Sequence, residues 1–222
     1  DSPDSLRGKT FATPQLGNTQ DVALRYWLKQ KGLSAPKEGG GDVYVAPQDN
    51  AQTLDLFKQG KVDGGWLPEP WASRLVQEGG GKVLVNEKDL WPKGQFVTTH
   101  LIVSQKFLES SPDKVKALLQ GVVNTLNTVQ ANPIKAKADV NAALKTLTGK
   151  ALDETVLARS WDNLTITVDP IASSLQTDLD HAVDVGISKP ADLNGIYDLT
   201  ILNSILTAAG KAPVSAQGLG KQ

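Results

Sequence analysis

Two stretches of this sequence carry residue types that could hold a small charged molecule. Lys9–Gln20, KTFATPQLGNTQ, reads as a short apolar strand, a turn containing Pro14 and Gly17, and a helix that opens at Asn18 or Thr19. The first N–H groups of a helix have no partner inside it and lie at the positive end of its dipole, so a strand, turn and helix of this form make an anion cradle. The candidate ligand residues are Gln15, Gly17, Asn18 and Thr19. Asn18 and Thr19 are also good N-caps, and a cap satisfies one N–H while leaving others for an anion. The Gln15 amide either donates to an oxyanion or closes the loop. In the second stretch, Gly60–Trp71, GKVDGGWLPEPW, a short strand at Gly64–Leu67 breaks into Pro68-Glu69-Pro70, bracketed by Trp66 and Trp71. Trp66 stands at the C-terminal end of its strand, where open α/β sheets bind ligands, although a strand tryptophan also fits a core. Glu69 repels a bare anion; it suits a ligand with an ammonium group, a closure contact or a helix N-terminal charge. Aromatics and one acid beside a helix N-terminus describe a small-ligand wall better than a reaction centre.

Composition narrows the chemistry further. The 222 residues include 21% charged residues with a net charge of −1, which lacks the basic surface that nucleic acid requires. The absence of cysteine removes disulfides, thiolate metal sites and cysteine nucleophiles, and the only histidines are His100 and His181. No metal or other cofactor is therefore expected. No G-x-S-x-G occurs and neither histidine has a credible nucleophile beside it, so a hydrolase reading fails. No apolar run approaches the ~18 residues of a membrane span, and no signal peptide is visible. The chain has no methionine and starts DSPDSLRGK, so it reads as processed or truncated, with any export signal or lipid-attachment cysteine upstream.

The elements that must position these residues come in two styles. From Lys9 to Val85 short strands alternate with amphipathic helices: strands at Lys9–Thr13, Asp42–Ala46, Gly64–Leu67 and Lys82–Val85, helices at Asn18–Gln30, Asn50–Gln59 and Glu69–Glu78. Val22, Leu24, Trp27 and Leu28 form the apolar face of the first helix, and Gly32 stops it. The runs Gly39–Gly41 and Gly79–Gly81 each lead into a strand instead of a helix, so they read as mobile loops and not as phosphate loops. Phe96–Ser104, FVTTHLIVS, is the longest strand-like stretch, with His100 as a hinge or core histidine. Beyond it the chain turns helical. Pro112–Ala131 carries the stripe Val115, Leu118, Leu119, Val122, Val123, Leu126 and Val129, and helices follow over Pro133–Thr148, Asp153–Trp161, a segment opening at Asp169 or Pro170, and Leu199–Ala209. A short extended piece occupies Leu164–Val168, Trp91 and Trp161 read as packing, His181 as surface, and the GKAPVSAQGLGKQ tail as frayed. Striped helices need something to pack on, so the long strand is expected to enter a second lobe whose sheet is mostly encoded upstream of Asp1.

The order LRGKTFATPQLGNTQDVALRYWLKQKGL, a strand ending in PQDN, LFKQGKVDGGWLPEPWASRLVQEGGGKVL and FVTTHLIVSQKFLESSPDKVKALLQG resembles periplasmic solute-binding proteins of the nitrate/sulfonate/taurine ABC transporter group. The likeness runs in order over roughly Ser5–Tyr197, its motifs are specific in combination, and the aliphatic-sulfonate binders are the subgroup it looks most like. The resemblance implies an α/β type II periplasmic binding protein fold, two-lobed, with part of the first lobe missing from this chain. Residues 1–100 would be the second α/β lobe with half of the ligand site, and residues 101–222 a mainly helical return segment of the first lobe. Family binding positions carry over to the loop Gln15–Thr19 and to Trp66–Glu69. The implied function is non-enzymatic: a monomer, periplasmic or lipid-anchored outside the cell, that delivers a small oxyanion to a membrane permease. Two other functions fit the same fold. A binder of a pyrimidine or riboflavin-like heterocycle would use stacked tryptophans. A pyrimidine-precursor synthase would need a Cys-rich segment, which this chain lacks.

Overall fold

The computed structural model describes residues 3–221 and shows a helix-rich α/β chain. The chain divides into two compact units, each assembled from separate stretches: residues 1–94, 153–164 and 177–191 in the first, and residues 95–152, 165–176 and 192–222 in the second.

The first unit is built on a parallel three-stranded sheet. Strands β1 (Thr10–Thr13), β2 (Tyr44–Pro47) and β3 (Gly64–Gly65) lie in the order β2-β1-β3, with Thr10 beside Tyr44, Thr13 beside Pro47 and Phe11 beside Gly64. Parallel neighbours need crossover helices. These are α1 (Thr19–Gln30) between β1 and β2, and α2 (Asn50–Lys58) between β2 and β3. The apolar face read from the sequence is the buried one: Leu24 and Leu28 join Leu6, Leu33 and Val43 in a core against which Phe11, Trp27 and Trp66 pack. At Gly64 a Cβ would lie 2.7 Å from the Phe11 ring, so any larger residue there must displace that ring. Helix α3 (Trp71–Gly79) closes with Gly80 in the left-handed conformation, φ 72°, so the second glycine run is a helix stop.

Helices α4 (Gln105–Ser110), α5 (Pro112–Ala131) and α6 (Pro133–Thr148) follow in the second unit, and α7 (Glu154–Asp162) returns to the first. Helix α8 (Ala172–Asp184) has its residues through Gln176 in the second unit and the rest in the first. In the second unit α5 packs on α9 (Thr200–Ala208), and Val123, Leu202, Ile205 and Leu206 anchor the core. The striped helix buries Val115, Val123 and Leu126 but leaves Leu118 and Val122 exposed. Short strands β4 (Tyr197–Asp198) and β5 (Gly220–Lys221) pair in parallel.

Four expectations are corrected. Lys82–Val85 and Phe96–Ser104 form no strand. Local β-propensity is not sufficient for a strand, which exists only with a hydrogen-bonded neighbour. Among the described residues these segments have none, and Ile102 is 83% exposed. The C-terminal tail is not frayed. Asn203 on α9 clasps it, accepting the Val214 N–H at 2.8 Å and donating to the Val214 carbonyl at 3.0 Å; Ala216 is buried and β5 completes the ladder. His181 is half-buried, its ring stacked 3.6 Å from that of Tyr26.

Candidate functional site

Because β1 and β3 are parallel neighbours, the loop after β1 and the turn after β3 leave the sheet at the same edge. The structure thus brings Gln15–Thr19 and Trp66–Glu69 to the C-terminal side of adjacent strands, the side on which open α/β sheets take ligands. The two segments are built differently.

In the first, Asn18 is the N-cap of α1, and its side chain accepts the Asp21 N–H at 2.9 Å. Its carbonyl accepts the Val22 N–H at 3.0 Å, and its own N–H goes to the Gln15 carbonyl at 3.3 Å. Gly17 has φ 76°, a left-handed conformation that favours glycine, and its N–H donates to Asp21 Oδ2 at 3.0 Å. Gln15 is exposed and Thr19 half-buried. The N–H groups of Thr19 and Gln20, at the first two positions of α1, have no hydrogen-bond partner among the described residues. They are open donors at the start of the helix.

Beneath the loop lies a charged pair that the apolar reading of α1 missed. Asp21 is 0% and Arg25 3% exposed. Arg25 donates twice to Asp21, at 3.0 and 3.2 Å, and once to the Ala35 carbonyl at 2.6 Å. The Thr13 hydroxyl at the end of β1 donates to Asp21 Oδ1 at 2.9 Å. The i, i+4 spacing of acid and arginine was the available signal.

In the second segment the polar side chains are occupied within the unit. Trp66 packs against Trp27 with ring centroids 5.9 Å apart and donates its indole N–H to Glu87 at 2.6 Å. Trp91, buried as read, donates to the same carboxylate at 3.3 Å. Burial raises the Glu87 pKa, against the pull of the two indoles. Burial and the Glu87 carboxylate push Asp178, on α8, up to about 7. Glu69, which precedes a cis peptide bond to Pro70, accepts the Ser73 N–H at 3.1 Å, the Ser160 hydroxyl at 3.1 Å and the Asn163 amide at 2.6 Å. It therefore fastens the start of α3 to α7 and its end. Its partners lie some ninety residues downstream, so no local signal announced them.

Other features lie apart from this edge. His100 shares a 2.8 Å hydrogen bond with the Tyr197 hydroxyl, and burial lowers its pKa. A cleft of about 610 Å3 in the first unit is lined by Leu6, Trp27, Lys31, Val83, Leu84 and Leu90, among others, and by none of the six candidate residues. Among the described residues no cluster of His, Cys, Asp or Glu could hold a metal ion, and no helix is long and apolar enough to cross a membrane.

The chain is 28% identical to an aliphatic sulfonates-binding protein of Bacillus subtilis, over 92% of this chain and 64% of that protein. It is 27% identical to a nitrate/nitrite-binding protein of Nostoc sp., over 48% of this chain and 23% of the relative. With the taurine-binding periplasmic protein of Escherichia coli it shares 25% identity, over 59% and 38% respectively. The chain thus spans less than two thirds of the length of these relatives. No solved structure matches it. The model of the NMT1-like family matches residues 1–145, which include both loops at the sheet edge and the Asp21–Arg25 pair; the chain belongs to that family.

Proposed function

We propose that this chain belongs to the solute-binding component of an ABC importer, a non-enzymatic protein that captures a small oxyanion and delivers it to a membrane permease. The observation that carries the reading is the pair of open N–H groups, Thr19 and Gln20, at the start of a helix on the ligand side of the sheet. Both nearby acids are compatible with an anion. Asp21 is neutralised by Arg25, and Glu69 is held by three donors. An aliphatic sulfonate is the favoured ligand, because the sulfonates-binding relative aligns over 92% of this chain. The placement of Trp66, packed on Trp27 and bonded to Glu87, supports an anion over a stacked heterocycle. In this reading the whole protein has the two-lobed type II fold. The first compact unit is the lobe that carries this half of the site, and the sheet that covers Leu118, Val122 and the segment around Ile102 is supplied by the rest of the first lobe. The protein works as a monomer outside the cytoplasmic membrane.

The test is a thermal-shift screen with methanesulfonate, taurine, nitrate, bicarbonate and riboflavin. A ligand at a hundredfold excess over its Kd adds about 2.7 kcal/mol of stability. The expected outcome is a shift with the anions, largest for the alkanesulfonate. A shift confined to riboflavin, or none at all, overturns the reading.

A further inference from the structure

Asp21 has an unusual position for an acid in the first turn of a helix that offers its N–H groups to an anion. It is fully buried, and both of its oxygens are taken. Oδ1 accepts from Thr13 and from Arg25; Oδ2 accepts from Gly17 and from Arg25. The donors come from three places: the end of β1, the middle of the loop and the second turn of α1. A single carboxylate therefore ties the strand end and the loop to the helix they precede. Bonding Gly17 holds the left-handed turn at that residue, and the turn sets the direction in which Thr19 and Gln20 present their N–H groups.

The pair also sets the charge under the cradle. A lone buried carboxylate one residue beyond Gln20 would oppose any anion at those N–H groups, at short range and with little solvent screening. Arg25, itself buried and fixed through Ala35, cancels that charge without offering its own guanidinium to the ligand. The N–H dipoles at the helix start are left as the attractive element.

We infer that Asp21 and Arg25 are positioning residues of the proposed anion site, bracing the Gln15–Thr19 loop through Thr13 and Gly17 and holding the net charge beneath it at zero. This rests on the anion-binding reading above. It adds two residues that need not touch ligand.

The experiment titrates the chain with methanesulfonate and follows the Thr19 and Gln20 amide resonances by NMR, with melting temperature recorded in parallel. Arg25→Gln leaves the Asp21 charge uncompensated and should raise Kd at least about tenfold. Adding Asp21→Asn restores neutrality and an acceptor for Gly17, and should return Kd to within about threefold of the parent. Thr13→Val removes one donor and no charge; it keeps the test decisive if Arg25→Gln does not fold, and should raise Kd by about threefold. A purely structural pair would lower the melting temperature in these variants and leave Kd unchanged in the folded protein, and that result overturns the assignment alone. No response of the Thr19 and Gln20 amides in the parent chain overturns the anion site, and the assignment with it.

Discussion

The loop after β1 and the turn after β3 leave neighbouring strands at one edge, yet they treat their polar groups in opposite ways. The first uses Asn18, Asp21 and Arg25 to fix the loop around Thr19 and Gln20 while leaving those two N–H groups open. The second ties its acid and its indole into the unit: Glu69 to Ser73, Ser160 and Asn163, Trp66 to Glu87. In the proposed reading, lying at this edge is not enough to make a ligand residue. What distinguishes the two is the helix start: the leading N–H groups of α1 stay open, whereas those of α3 are bonded to Pro68 and Glu69.

The comparison breaks if the second segment proves to bind. Glu69→Ala strands the Ser73 N–H and the Asn163 amide, the Ser160 hydroxyl keeping the Val156 carbonyl at 2.7 Å, and should cost about 2–3 kcal/mol in urea unfolding, with methanesulfonate affinity unchanged. A loss of affinity out of proportion to stability would place Glu69 in the site.

A pH titration sharpens the contrast. The folded-state pKa of Asp178, about 7, lies above its ordinary value of 3.8 because burial and Glu87 disfavour its charged form. The folded protein then binds more protons than the unfolded one between those values. This group's contribution to stability accordingly falls as pH rises from about 4 through about 7, and is level on either side. With solvent screening the loss is about 2 kcal/mol. Asp178→Asn should flatten it in unfolding curves taken from pH 5 to 8. The Trp66 and Trp91 fluorescence should respond to this titration, since both indoles bond Glu87, while the Thr19 and Gln20 amides should not. Movement of all of them together would show that the two segments are not independent.

The alternation from Lys9 to Gly79 was legible because period, cap and glycine stop agree locally, as with Asn18 before α1 and Gly32 after it; the stop at Gly80, read as part of a mobile loop, was not. Phe96–Ser104 misled because its β-propensity is a local property and its pairing is not. The tail misled for the converse reason: nothing periodic in it announces the clasp from Asn203 or the ladder with Tyr197. At the candidate site the cap and the loop glycine were readable. The roles of Trp66 and Glu69 were set by partners distant in sequence, at Glu87, Ser160 and Asn163. The Asp21–Arg25 spacing was in plain view, but charges at i, i+4 normally face solvent, so nothing local marked this pair as buried.

The central claim is that open backbone donors at the start of α1 hold the anion, and Thr19→Pro tests it with least disturbance. Proline is favoured at the first helical position, its missing N–H is one the helix does not use, and the extended backbone of Asn18 (φ −76°, ψ 172°) suits a following proline. Isothermal titration with methanesulfonate should show Kd raised by about tenfold, roughly 1.4 kcal/mol, at an unchanged or higher melting temperature, with Thr19→Ala as the control that keeps the N–H. Equal affinity in Thr19→Pro and the parent would contradict the account.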